Sequence, residues 1–154
     1  MQPIEKQKLK IQQEKENKME FIIEQASEIF CERGIYNTKM TDIAKKAEVG
    51  VASVYRYFKT KADIAIQVGI KFWEEEGRAV YEKFQYKEFE EKSGYEQVKD
   101  LLNSFVILFE DHKDFLKYIN YLDSFILKEN IDRDKLVEYE KSIVDIQEFA
   151  VTAI

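Results

Sequence analysis

The sequence is poor in the residues that build disulfides, zinc sites and tight turns: one cysteine, one histidine, one proline and five glycines in 154 residues. A lone cysteine excludes a disulfide framework, and with a lone histidine it excludes the usual Cys/His zinc sites. It fits a reducing cytoplasm. So little glycine and proline leaves too few turns for an all-β sandwich. No two glycines are close enough for a GxGxxG motif or a phosphate loop, and any serine triad would rest on His112 alone. Long apolar runs are also missing. The longest, Phe105–Phe109, is far short of the roughly 20 residues a membrane helix requires. The first 18 residues, rich in Lys, Glu and Gln, hold no signal-peptide core. These absences predict a soluble cytoplasmic protein with no enzymatic activity, metal, cofactor or membrane partner.

Apolar residues make up 45% of the chain and aromatics 14%, enough for a packed core. The net charge of −6 is unevenly spread. Residues 1–61 carry 12 basic and 9 acidic side chains, and residues 62–154 carry 12 and 21. Within 33–61, Arg33, Lys39, Lys45, Lys46, Arg56, Lys59 and Lys61 face only Asp42 and Glu48. A basic segment on an acidic protein reads either as a nucleic-acid face or as a solvated helical surface.

Helical periodicity runs through the chain, and no stretch alternates long enough for a strand. Ile22, Ala26, Ile29 and Phe30 share a face that ends at Arg33-Gly34. Thr38 is a candidate N-cap for a short helix to about Ala47. A tight turn at Glu48-Val49-Gly50 leads to a second short helix through Phe58. A long helix follows from about Ala62 to Tyr86, with Ile64, Val68 and Phe72 inward. Beyond Ser93-Gly94, the set Val98, Leu101, Leu102, Phe105 and Phe109 marks another helix. Asp111–Asp114 is a polar turn in which His112 is expected at the surface. Phe115, Ile119, Leu122 and Ile126 mark the next helix. Asp132 is positioned to cap a last one, with Leu136, Tyr139, Ile143, Ile146 and Ala150 on its core face. The fold class is all-α, with about seven helices.

Two short helices across a tight turn on a basic background read as a helix-turn-helix, whose second helix enters the major groove. The alternative from pattern alone is a hairpin used only for packing. Here the residues go further. Ala26, Phe30, Gly34, Thr38, Asp42-Ile43-Ala44, Ala47, Val49 and above all Val54-Tyr55-Arg56-Tyr57-Phe58-Lys59-Thr60-Lys61 carry the likeness. The stretch Ile22–Ile64 resembles the DNA-binding domain of the TetR family of bacterial transcriptional repressors. Its last segment is similar to the family's leucine-tyrosine-x-histidine/tyrosine-phenylalanine-x-serine/threonine-lysine signature.

The resemblance implies an N-terminal three-helix DNA-binding domain at 19–61, preceded by a basic arm or helix extension at 1–18. A helical effector-binding and dimerisation domain would follow at 62–154. It implies a DNA-facing set of Thr38, Lys39, Thr41, Gly50, Val51, Ala52, Ser53, Tyr55, Tyr57 and Lys61. Hydroxyls, lysines and backbone amides of this set would hold phosphate, and Gly50–Ser53 would meet base edges. Glu48 stands where the family usually has glycine, which places a side chain in a strained turn. Gly50 stands where it usually has serine, so the second helix lacks a side-chain cap. Val51 and Ala52 cannot make bidentate bonds to purines but suit thymine methyls. Specificity would then lean on methyl contacts, Ser53 and DNA shape.

Residues 62–154 hold most of the aromatics, and in the family this part takes a small effector between helices. Trp73, Phe105, Phe109, Tyr118, Tyr121 and Phe125 are the candidate effector contacts, with core packing as the plain alternative. The chain stops on an apolar, helix-compatible run, with one terminal helix after Asp132 where the resemblance implies a dimerising pair, so either the dimer uses different helices or part of the C-terminal region is missing. The expected function is a homodimeric repressor on a pseudo-palindromic duplex operator, released by a lipophilic or aromatic small molecule. The alternative is a protein-interaction module that kept the fold and lost DNA binding.

Overall fold

The computed structural model describes residues 3–84, 89 and 91–152. Among them the order is α1 (Pro3–Arg33), α2 (Met40–Lys46), α3 (Val51–Tyr57), α4 (Lys61–Phe84), α5 (Gly94–Asp111), α6 (Lys113–Glu129), a 3₁₀ turn (Arg133–Lys135) and α7 (Val137–Thr152). No strand occurs among the described residues, so the fold is all-α. The chain divides into two compact units, Met1–Val68 and Gly69–Ile154.

In the first unit, α1 is a single 31-residue helix, so residues before Met19 extend it rather than form a loose arm. Its buried face begins at Ile22 and continues through Ala26, Ile29 and Phe30. Gly34 stops the helix with φ 84°, donating its N–H to Phe30 O at 2.8 Å. Ile43, Ala44, Val54, Phe58, Ile64 and Val68 complete the core around it. Each large aliphatic or aromatic side chain so buried contributes about 1.5–3 kcal/mol relative to exposure.

The cap of α2 falls one residue later than the sequence predicts. Lys39 holds the cap position, and its N–H donates to Asp42 Oδ2 at 2.9 Å. Thr38 is instead fully buried and donates its hydroxyl to Gly34 O at 2.9 Å. α4 starts on a reciprocal cap: Thr60 N–H donates to Asp63 Oδ2 at 2.8 Å, and Asp63 N–H to Thr60 Oγ1 at 3.2 Å.

In the second unit, Ser93 caps α5 through Glu96, whose carboxylate accepts from the Ser93 hydroxyl at 2.7 Å. The hydrogen bonds from Ser93 hold the Glu96 carboxyl below its usual range. Val98 and Leu102, expected inward, are exposed. On α6 the buried set is Phe115, Tyr118, Leu122 and Phe125, while Ile119 and Ile126 are half-buried. The core face is therefore rotated by one residue toward the larger aromatic side chains. Asp132 caps the 3₁₀ turn, accepting from Asp134 N–H at 3.2 Å, and α7 begins only at Val137. Tyr139 is buried as expected, whereas the side chains of Ile146 and Ala150 lie outside the described residues.

Candidate nucleic-acid interface

α2 and α3, seven residues each, are joined by a turn closed by backbone bonds. Ala47 N–H donates to Ile43 O at 2.9 Å, Glu48 N–H to Lys45 O at 3.2 Å, and Val49 N–H to Ala44 O at 3.0 Å. Glu48 has φ 53°, in the left-handed region, which costs a residue with a side chain roughly 1–2 kcal/mol. The turn therefore has the glycine-favouring geometry expected of it. Gly50 caps α3 with φ −66° and ψ 143° and offers no side-chain bond.

α3 presents two sides. Val54 and Phe58 are buried against the core. At 100° per residue, Ala52 and Arg56 lie opposite them, and both are exposed. Val51, 36% exposed, and Tyr55, 50% exposed, form one flank; Ser53 and Tyr57, half-buried, form the other. Arg56 is absent from the sequence-derived set although it sits at the centre of the outer face. Measuring the helix from its buried pair, Val54 and Phe58, is the signal that finds it.

Two of the exposed cations around this helix are ion-paired. Arg33 Nη2 lies 3.1 Å from Asp42 Oδ2, and Lys46 Nζ lies 2.6 Å from Glu28 Oε2. The bond to Glu28 raises the Lys46 pKa further above its ordinary value. Lys39, Lys45, Arg56 and Lys59 are exposed, as is Thr41. Lys61 Nζ donates to Ile35 O at 2.7 Å and to Thr38 O at 3.0 Å, tying the first turn of α4 to the loop before α2. Of the expected DNA-facing residues, then, Thr38 is wholly interior and Lys61 is half-buried as a clasp. Thr38 bears on that surface through the loop before α2, which it ties to Gly34 O and which leads into Lys39 at the cap of α2.

The expected effector residues lie in the second unit. Trp73 is half-buried, its ring edge-on to Phe115 at 4.9 Å, and its Nε1 donates to Tyr139 Oη at 3.4 Å. Tyr118 is fully buried, 5.2 Å from Phe72, and Phe125 is buried. Tyr121 is half-buried beneath Lys117 Nζ at 5.9 Å. The side chains of Phe105 and Phe109 lie outside the described residues. His112, expected at the open surface, is half-buried, with Nδ1 2.5 Å from Glu76 Oε1. Burial pushes the Glu76 carboxyl above its usual range, and His112 pulls it back. Burial likewise pushes up the Asp123 carboxyl, and it pushes the Tyr139 hydroxyl up to about 12. Among the described residues, no three His, Cys, Asp or Glu side chains gather as metal ligands. Nor is any helix among them long and apolar enough to cross a membrane.

Residues 22–68 match the family model described as "Bacterial regulatory proteins, tetR family". The solved structures include a similar chain, a crystal structure of an HlyIIR mutant protein in which residues 169–186 are replaced by a linker with two thrombin sites. It is 23% identical, with a TM-score of 0.47 over 87% of this chain and 70% of that one. No curated protein matches the chain.

Proposed function

Because residues 22–68 make this chain a member of the TetR family of bacterial regulatory proteins, a TetR-type transcriptional regulator, we propose that it is a homodimeric repressor released by a small effector. The observation that carries the reading is the outer face of α3. Val51, Ala52, Tyr55 and Arg56 are exposed there on a helix whose other side is locked into the core by Val54 and Phe58. In a helix-turn-helix this face meets base edges. Val51 and Ala52 offer methyl contacts to thymine, Ser53 one adaptable hydroxyl, and Tyr55, Tyr57, Lys39, Thr41 and Lys61 are the backbone contacts. Two copies would read two half-sites of a pseudo-palindrome.

The effector is a small lipophilic or aromatic molecule that uses the second unit. Tyr118 and Phe125 are shielded, so a ligand meets them only by displacing neighbours; Trp73 and Tyr121 offer partly open aromatic surface. The effector must favour the DNA-incompetent arrangement, since a ligand with equal affinity for both shifts nothing. The chain would act in the cytoplasm.

The test is retention of a random duplex pool at two salt concentrations, followed by sequencing. The expected result is an enriched pseudo-palindrome whose binding weakens steeply with salt. No retention at low salt would instead support an interaction module built on the same fold.

A further inference from the structure

The first unit holds an open cleft of about 420 Å³ between α1 and α3. One wall is a stripe of α1, made by Glu14, Asn17, Lys18 and Phe21 at i, i+3, i+4 and i+7. The other is the flank of α3 that carries Ser53 and Tyr57, with Arg56 reaching in from the adjoining outer face. Lys18 and Arg56, one on each wall, are both exposed. The Arg56 guanidinium lies 5.2 Å over the Tyr57 ring, and its bond to the Tyr57 hydroxyl is long, at 3.5 Å. Such a bond is weak and engages one nitrogen, so the stacked fork is oriented rather than consumed.

A cation on each wall, with amide and hydroxyl groups beside them and two aromatic faces, fits an anionic chain that also has apolar surface. A sugar–phosphate strand has both, in its phosphates and its deoxyribose faces. The cleft opens along the helix whose outer face is the proposed reading surface, where a strand bordering the major groove runs. We propose that the cleft between α1 and α3 seats one DNA backbone strand, with Lys18 and Arg56 gripping its phosphates. This rests on the reading of α3 as the major-groove helix. It also gives part of the α1 extension a purpose: residues 14–18 are exposed, yet Glu14, Asn17 and Lys18 among them line the cleft. Glu14 opposes the phosphate and sets an upper limit on the grip.

The experiment measures binding of the full chain to a labelled random-sequence duplex across a salt series, because backbone contacts carry no sequence information. Lys18→Ala should weaken binding about tenfold per bound subunit at roughly 0.1 M salt and flatten the log–log salt slope by about 0.9 per subunit. Lys10→Ala, an exposed change on the same helix outside the cleft, should leave the slope unchanged, and Glu14→Gln should tighten binding several-fold. Lys18 is exposed, so circular dichroism should show helicity unaltered. If Lys18→Ala matches the parent, or if Lys10→Ala loses as much as Lys18→Ala, the cleft is not the seat and the reading of α3 still stands. A parent that binds no duplex at low salt overturns both.

Discussion

At Glu48 a side chain occupies backbone geometry that favours glycine, with φ 53°. The residue is exposed, so nothing it buries offsets the strain. Glu48→Gly should stabilise the chain by about 0.5 kcal/mol, the relief of left-handed strain less the extra unfolded-state entropy of glycine. A higher urea midpoint with an unchanged slope would check this. Lys61 has two jobs that one substitution separates. Lys61→Met removes the donor to Ile35 O and Thr38 O, and a half-buried loss of this kind costs about 1 kcal/mol. It should also weaken duplex binding equally on every sequence. Ser53→Ala should instead change which sequences are retained, leaving the urea midpoint nearly unmoved. An unchanged midpoint for Lys61→Met would mean that the clasp contributes nothing.

Packing between helices is decided at Gly69. A Cβ there would run into Leu122 Cδ2 and lie 2.9 Å from Tyr139 Cε2, both on buried residues. Gly69→Ala gains about 1 kcal/mol of helix propensity but forces α6 and α7 side chains off their positions, which costs about 1–3 kcal/mol. The net expectation is destabilisation. Gly94→Ala, where a Cβ meets nothing within 4 Å, should be neutral or stabilising, and paired thermal melts compare the two. Tyr139 supplies a pH test. Its folded pKa is raised to about 12 by burial, above the unfolded value of about 10. The stability it contributes is complete below the unfolded value and is lost as pH rises through the folded one. Tyr139→Phe should remove one tyrosine from the most alkaline part of an ultraviolet titration and flatten the loss of stability there.

The same elements explain what is legible in the sequence. The α2–turn–α3 unit is readable because its signals are local: Gly34, Asp42, the turn and the inward Val54 and Phe58. The cap of α2 falls at Lys39 rather than Thr38 because a hydroxyl can bond backward to Gly34 O as readily as forward. The face of α6 escapes the periodicity because Tyr118 and Phe125 sit one residue before Ile119 and Ile126, and only packing decides which pair goes inside. Asp132 is a cap as its position predicts, but of the 3₁₀ turn. Arg56 escapes a motif match because the match weights positions by family habit, whereas exposure follows the helix's own buried pair. The partner of His112 is invisible in the sequence because Glu76 is 36 residues away and no local pattern joins them.

For the molecule as a whole, the uneven charge has a directional effect. Residues 1–61 carry a basic excess and residues 62–154 an acidic one, so a polyanion is drawn to the first stretch and repelled by the second. Trp73 bears on the effector in a different way. It is the one tryptophan in the chain, half-buried, edge-on to Phe115 and bonded to the Tyr139 hydroxyl. Its emission colour and yield therefore report a single neighbourhood in the second unit. Small molecules can be screened against the bare chain by intrinsic fluorescence, with no label, no operator and no regulated gene in hand.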